Sequence, residues 1–552
     1  MRAANPQLPR IRMPKSYLAV AAAVFLILTL TTLSYPYLAT ADFWDHSSAA
    51  KELSLNPTDP TDPLLNLKVD NPRNSPYIFL IAMVMRLSGM DVFAAFKIFS
   101  LLNLLLFISA FFLFTTALMG WNLKERKTMP ALCLIMVLFF WGFGWNISSA
   151  YHLKILMFVL PYPSFFSFGL AIFLLYIVLK YLREKKTSLI ILLIILGSAL
   201  LLTHFPTFSF FLTSMLLLAF FEGEGGLKER VLWFIPFTAG FRKERLFIAL
   251  LPILLVALTA FWPYYSFLAL LALGKESALS SMVLNDILLK TGPLLIIGLP
   301  LWLVSFRDKK LRLAWLLFAF NFLAFLVYYL TRIPFTERYF FYMAFYLQIL
   351  IAAKYGEYGV LSTASWKGMI TRMRVLANRG LGALRKMRLQ IYWDLLRTAL
   401  ALVLALSIVF QLLLVGTFFQ KYFEERIEDV VDMDEYPRLK NVIGTYDVFI
   451  TDEKTSLVLP TFTGRSMGHY LNHWNAFVTD YRERSKDMAL FFKEETSDTE
   501  RSRILQRYDV SFIVINLMYT DISLIETAQG FGELAFLDDS FAVVRVRRSG
   551  QA

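Results

Sequence analysis

The chain has 552 residues, 57% of them hydrophobic, and a mean hydropathy of +0.55, whereas soluble domains run roughly 45–50% apolar. That composition excludes a soluble globular protein and points to a polytopic α-helical membrane protein. The net charge of +13 does not indicate nucleic-acid binding, because the positive charge is sorted into short loops between apolar runs, which is a topology signal.

Apolar runs at 17–38, 91–118, 129–147, 163–181, 188–204, 206–221, 246–266, 292–306, 313–331, 339–355 and 398–420 predict about 11 transmembrane helices, most of them near the length that a bilayer core of ~30 Å requires. Alternate connections differ sharply in charge. The N-terminal segment, Lys124 to Lys127, Lys180 to Lys186, Lys228 to Arg245, Arg307 to Arg312 and the segment 354–397 together hold 29 basic residues. The opposite set holds 8: Lys51, Lys68, Arg73, Lys154, Lys275, Lys290, Arg332 and Arg338. The positive-inside rule makes the first set cytoplasmic. It places the protein in the cytoplasmic (inner) membrane with its N-terminus inside and its C-terminal part outside. Ala39-Thr40-Ala41 imitates a signal-peptidase site, but the preceding apolar stretch exceeds the 7–15 residues of a signal core, so an uncleaved first span is expected.

The chain divides into a transmembrane domain, 1–420, and an extracytoplasmic domain, 421–552. In the first, the outer loop 42–75 opens with a helix-forming stretch that sets Trp44, Ala49 and Leu53 on one face, then turns proline-rich between Asn56 and Pro63. Ser75-Pro76-Tyr77 begins a second short apolar helix that ends near Gly89-Met90-Asp91; too short to span, it belongs at the interface. Trp262-Pro263-Tyr264-Tyr265 reads as aromatic belt. The basic segment 354–397 alternates charge with apolar residues, as an amphipathic anchor on an anionic leaflet does. From Lys421 onward there are 16 Lys+Arg against 23 Asp+Glu. Tyr446–Thr451 and Ser511–Asn516 read as short buried strands, Asp480–Gln506 as helical and Phe541–Val546 as a closing strand, which makes an α/β domain. The only cysteine, Cys133, lies inside an apolar run, so no intrachain disulfide exists.

Candidate chemistry begins at Asp42-Phe43-Trp44-Asp45-His46, at the mouth of span 1. Carboxylates beside hydrocarbon are costly and mark function or capping. Three residues apart, Asp42 and Asp45 share a helix face, and Asp42 as N-cap is the structural alternative. His46 is placed to orient an acceptor or Asp45. His152 and His204 stand at predicted outer helix ends, where a histidine serves as a helix-terminal hydrogen bonder or as a supporting site residue.

Span 1, this acidic loop, Ser75-Pro76-Tyr77, Arg86-Leu87-Ser88-Gly89-Met90-Asp91 before a long second span, Pro161-Tyr162-Pro163-Ser164, Thr203-His204 and Arg338 opening span 10 together resemble the GT-C superfamily of membrane glycosyltransferases. That superfamily includes protein mannosyltransferases, the aminoarabinose transferase of lipid A and the catalytic subunit of oligosaccharyltransferase. The resemblance covers the architecture of the whole chain through short motifs. It implies inverting transfer of a hexose or pentose from a polyprenyl-phosphate or -diphosphate carrier to a glycan, lipid or protein acceptor on the outer face. Asp45 or Asp42 would take the acceptor's proton, and Arg338, Arg332, Lys154 and Arg73 would bind the donor phosphate. For the two arginines Arg332 and Arg338 the structural alternative is snorkelling beside Tyr339, Tyr342 and Tyr346. Some members hold Mg or Mn through Asp-x-Asp; here the spacing is Asp-x-x-Asp-His, so no cofactor is required and a divalent metal is an open alternative. Two other classes compete: a transporter or lipid flippase, and a non-catalytic scaffold.

Overall fold

The computed structural model describes residues 12–34, 41–120, 126–141, 151–222, 230–231, 242–273, 291, 293–306, 308, 311–331, 338–357, 401–417, 435–468, 477–478 and 480–547. Arg332, Lys275, Lys290 and nearly all of the basic segment 354–397 lie outside the described residues.

The helices are α1 (Lys15–Ser34), α2 (Ala41–Leu55), α3 (Pro76–Ser88), α4 (Val92–Met119), α5 (Met129–Phe139), α6 (Leu153–Val159), α7 (Pro163–Glu184), α8 (Thr187–Thr203), α9 (Phe205–Phe221), α10 (Lys243–Leu258), α11 (Phe267–Leu273), α12 (Pro293–Ser305), α13 (Arg312–Thr331) and α14 (Tyr339–Glu357), then α15 (Ala401–Thr417). Each of the eleven expected spans finds its helix. Among the described residues five are long and apolar enough to cross a membrane: α1, α4, α7, α10 with its 3₁₀ extension to Phe261, and α13. This is a multi-pass membrane protein. The expected third span stops earlier than its apolar run, at Phe139, and the expected seventh breaks at Leu258 into a 3₁₀ turn, Thr259–Phe261, before Pro263.

Local sequence explains the boundaries. Ser75 caps α3 with Pro76 in the first turn, and Gly89, at φ 69°, closes it, a conformation that glycine adopts without a Cβ penalty. Asp91 caps α4, its Oδ1 accepting from the Phe93 and Ala94 N–H groups at 2.8 and 2.9 Å. The α4 interior carries a buried asparagine, Asn103. Its amide donates to Tyr77 Oη at 2.7 Å and to the Leu160 carbonyl at 2.8 Å, while Tyr77 donates to the Pro161 carbonyl at 2.8 Å. Polar groups at this depth need internal partners, and these bonds tie α3, α4 and the turn before α7 into one unit.

Contacts between loops sort the two ends of the bundle. Ser16 reaches the Lys127 carbonyl at 2.7 Å, Arg183 pairs with Glu222 at 2.8 Å and bonds the Ala117 carbonyl at 3.2 Å, and Lys354 pairs with Asp308 at 2.6 Å. The basic connections thus meet at one end. The loop 42–75, Tyr162, His204, Tyr265 and Arg338 gather at the other.

The C-terminal domain lies at that second end. Its described strands are β1 (Val448–Ile450), β2 (Arg465–Ser466), β3 (Phe512–Asn516), β4 (Gly532–Leu537) and β5 (Phe541–Val546), with helices α16 (Glu453–Phe462), α17 (Tyr481–Phe491), α18 (Asp498–Arg507) and α19 (Leu524–Gln529). They form one sheet in the order β2-β1-β3-β5-β4, parallel through β2, β1 and β3 and antiparallel through β5 and β4. The period-two alternation divides its side chains between two cores. Phe449, Phe512, Val514, Phe541 and Val543 join the core that continues into the helical bundle, and Val448, Ile450, Ile513, Ile515 and Val544 pack with α17, α18 and α19.

Lys51, on α2, extends into the junction with this domain and donates to the Pro460 carbonyl at 2.9 Å. Burial, then Lys440 and Arg465, push its pKa down to about 7. A lysine whose folded pKa lies below its unfolded value penalises the folded state in full below pH 7. The penalty fades as pH rises toward the unfolded pKa of ~10.4, because the unfolded chain then binds the extra proton. The melting temperature of the purified protein should rise from pH 6.5 to 9, and Lys51→Met should flatten the rise; a parallel profile in the variant refutes this.

Candidate active site at the loop end of the bundle

A cavity of about 310 Å³ opens between α2, the loop 56–75, the start of α7, the α8–α9 turn, α11 and the start of α14. Its polar half carries Asp42, His46, Arg73, Ser75, Tyr162, His204 and Arg338; its apolar half is Leu201, Leu202, Phe205, Phe267, Leu270 and Leu271.

Helix α2 begins at Ala41, so Asp42 sits in its first turn. There the carboxylate is favoured by the exposed N–H groups of the helix start. It is exposed and lines the cavity. Asp45, one turn on, is not among the residues that line the cavity. It is buried and its Oδ2 meets Arg73 Nε at 2.6 Å, which also fixes how the Arg73 guanidinium enters the cavity wall. Asn71 Oδ1 accepts the Arg73 backbone N–H at 2.9 Å and Asn71 Nδ2 donates to Asp62 at 3.2 Å, so the loop carrying Arg73 is internally braced.

The stretch Trp262 to Tyr265 is bonded to the proline loop and to α8. Trp262 Nε1 donates to the Asn74 carbonyl at 3.0 Å, Tyr264 Oη to the Pro57 carbonyl at 2.6 Å and Tyr265 Oη to the Leu202 carbonyl. The Asn71 N–H returns a bond to the Tyr264 carbonyl at 3.2 Å. These rings clamp the proline loop over the cavity, a role that tyrosine and tryptophan can fill because each joins an apolar body to a polar tip.

Opposite, His204 separates α8 from α9 and caps the latter. Arg338 NH1 lies 3.3 Å from His204 Nε2. An arginine nitrogen only donates, so Nε2 accepts in that contact, while Nδ1 lies 2.8 Å from Thr207 Oγ1 and 3.3 Å from the Thr207 backbone nitrogen. Thr207 in turn meets Tyr342 Oη at 3.1 Å. His204 lies in the connection between two helices; burial, then Arg338 and His46, hold it well below the usual imidazole pKa, so it is neutral at neutral pH and orients the arginine. Tyr162, at the cap of α7, faces His46 with ring centroids 5.8 Å apart. Burial and the charge of Asp42 raise its pKa well above the usual phenol value, leaving a protonated hydroxyl in the wall.

Of the site residues expected from sequence, Asp42, His46, Arg73, His204 and Arg338 line one cavity. His152 and Lys154 are not among its lining residues, because Leu153–Val159 folds as a helix of its own. His152 is the cap of that helix, with Nδ1 accepting from the Ile155 N–H at 3.4 Å, and Lys154 rides on it half-buried. Arg332 is outside the described residues. Tyr162, Ser75 and Tyr265 also line the cavity, the first two within the motifs Pro161-Tyr162-Pro163-Ser164 and Ser75-Pro76-Tyr77. Among the described residues no three His, Cys, Asp or Glu side chains cluster, and Asp45 is engaged by Arg73.

No protein-family model matches the chain, and no curated protein matches it by sequence. Solved structures do. ArnT from Cupriavidus metallidurans in the apo state matches with a TM-score of 0.55 at 14% identity, covering 96% of this chain and 97% of that one. The Archaeoglobus fulgidus oligosaccharyltransferase in the apo form matches at 0.50 and 12% identity, over 91% of this chain and 69% of that one. Its complex with an inhibitory peptide and a dolichol-phosphate gives 0.50 at 11% identity with the same coverage. The chain shares the fold of these structures.

Proposed function

We propose that the protein is a glycosyltransferase that moves a sugar from a polyprenyl-phosphate (or diphosphate) carrier to a hydroxyl of a glycan, lipid or protein acceptor. One observation carries the reading: a single cavity joins a carboxylate and two guanidinium groups to a wall of Phe267, Leu270 and Leu271. The helix bearing that wall also exposes Leu268, which does not line the cavity, at 60%, as a lipid-facing edge does. An amphiphile with an anionic head and a long apolar tail fits both halves. The dolichol-phosphate held by the Archaeoglobus oligosaccharyltransferase is a ligand of that chemistry.

In this mechanism the acceptor oxygen attacks the anomeric carbon while Asp42 takes its proton. The bond from that carbon to the phosphate oxygen breaks, and the electron pair leaves on the phosphate. The carrier phosphate is then neutralised by Arg338 and Arg73 rather than protonated, and configuration inverts in the single displacement. Asp45 acts through Arg73. The positive-inside rule places the cavity on the non-cytoplasmic face.

The test is direct. Purified protein in liposomes is given radiolabelled polyprenyl-phosphate hexoses and pentoses, with cell-envelope extract as acceptor. Labelled product that requires the protein and disappears in Asp42→Asn is expected. No product from any donor, or equal product in the variant, overturns the reading.

A further inference from the structure

The two functional pieces of the cavity wall, α2 with Asp42 and the loop with Arg73, are both gripped from the C-terminal domain. Arg465 NH2 meets Glu52 Oε1 at 2.8 Å, a pair with side chains 14% and 5% exposed. The same Glu52 oxygen accepts from Asn56 Nδ2 at 2.9 Å and the Thr61 N–H at 3.2 Å. One turn back on α2, Ser47 Oγ lies 2.8 Å from Thr461 Oγ1, and Trp44 packs on Phe462. The loop is held at its backbone: the Ser466 N–H donates to the Pro63 carbonyl at 2.9 Å, and Arg484 NH1 to the Leu65 carbonyl at 3.0 Å. Ser466 belongs to β2, the edge strand, so the free side of the sheet is spent on the loop.

The hold is also over-determined. Arg484 NH1 reaches the Met467 carbonyl at 2.9 Å and its Nε reaches Asp480 at 2.9 Å, so the guanidinium is fixed before it meets Leu65. A buried ion pair stabilises less than its geometry suggests, because desolvation opposes attraction, but it specifies one arrangement over others. A specifying contact is what a base and a phosphate clamp need, since small displacements from productive geometry are expensive.

We propose that Arg465 and Arg484 are positioning residues for the reaction, Arg465 acting on the base through α2 and Arg484 on the phosphate clamp through the loop. The C-terminal domain is thereby part of the catalytic machinery. This rests on the glycosyl-transfer reading above, and it divides the two effects: loss of Arg465 lowers kcat, and loss of Arg484 raises the donor KM.

Two readouts on the full-length protein in liposomes test it. Arg465→Glu should lower kcat by about tenfold or more, consistent with misplacement of a catalytic group, and the exchange Glu52→Arg/Arg465→Glu, which restores the ion pair but not the bonds that Glu52 accepts from Asn56 and Thr61, should restore part of it. Arg484→Gln should raise the donor KM about tenfold with a smaller change in kcat. The second readout needs no transfer: the maleimide labelling rate of a cysteine placed at 42 should change about fivefold or more with Arg465→Glu, as displacement of a held segment predicts, and return in part in the exchange. The native Cys133 is buried and leaves that signal clear. If charge reversal prevents folding, Thr461→Val carries the same expectation at about threefold, the scale of one hydrogen bond. Unchanged labelling with unchanged kinetics overturns the proposal. Labelling that shifts in a protein with no transfer activity overturns the glycosyl-transfer reading and, with it, the kinetic roles.

Discussion

Asp42→Asn should abolish measurable transfer while leaving insertion, melting temperature and donor binding close to the parent. Asparagine keeps the size and hydrogen-bonding reach of the side chain but cannot accept the acceptor's proton, and loss of a positioned base costs on the order of 10²–10⁴ in rate. The exposure of Asp42 and its place in the first turn of α2 mean that the amide leaves no buried charge uncompensated. Asp45→Asn should look different. Asp45 is buried against Arg73, so its neutral variant releases the guanidinium, and the donor KM should rise with a smaller change in kcat. Steady-state kinetics on both variants, read as separate kcat and KM, distinguishes them. Equal loss of kcat in the two would return the base to a shared Asp pair; full activity in Asp42→Asn would dismiss this carboxylate.

The difference between those two acids marks the boundary of what the sequence conveys. Hydropathy and loop charge are one-dimensional signals, and they locate the helices and group the loops by end, down to Lys127 beside Ser16. The helix 41–55 and its buried face of Trp44, Ala49 and Leu53 are equally legible, because periodicity is local. Pairing is not. Asp45 and Asp42 have the same spacing relation to each other in either role, and what separates them is Arg73, brought to Asp45 by a loop whose path depends on Tyr264 and Trp262 far along the chain. Those aromatics look like interface anchors, since the same amphipathic rings serve both jobs. His152 and His204 are likewise indistinguishable as letters near helix ends. One caps a helix that does not line the cavity, and the other lines it in contact with an arginine. The junction of α2 with the C-terminal domain joins residues roughly four hundred positions apart, and no local pattern announces it.

Arg338 carries the second large expected effect. Removing it as Arg338→Ala should raise the donor KM by about one to two orders of magnitude, the range of a charge-assisted bond to phosphate, with kcat falling as well if the leaving phosphate depends on it. Arg338→Lys should fall between, because the ammonium keeps the charge but not the planar two-point fork. A second consequence follows from His204. Its imidazole is held neutral by burial first and by Arg338 next, so the alanine variant should move its titration upward while burial keeps it below that of an exposed histidine. The pH profile of the His204 imidazole resonance in the two proteins checks this. A donor KM unmoved by Arg338→Ala would mean that the arginine braces the α8–α9 turn and does not touch the donor.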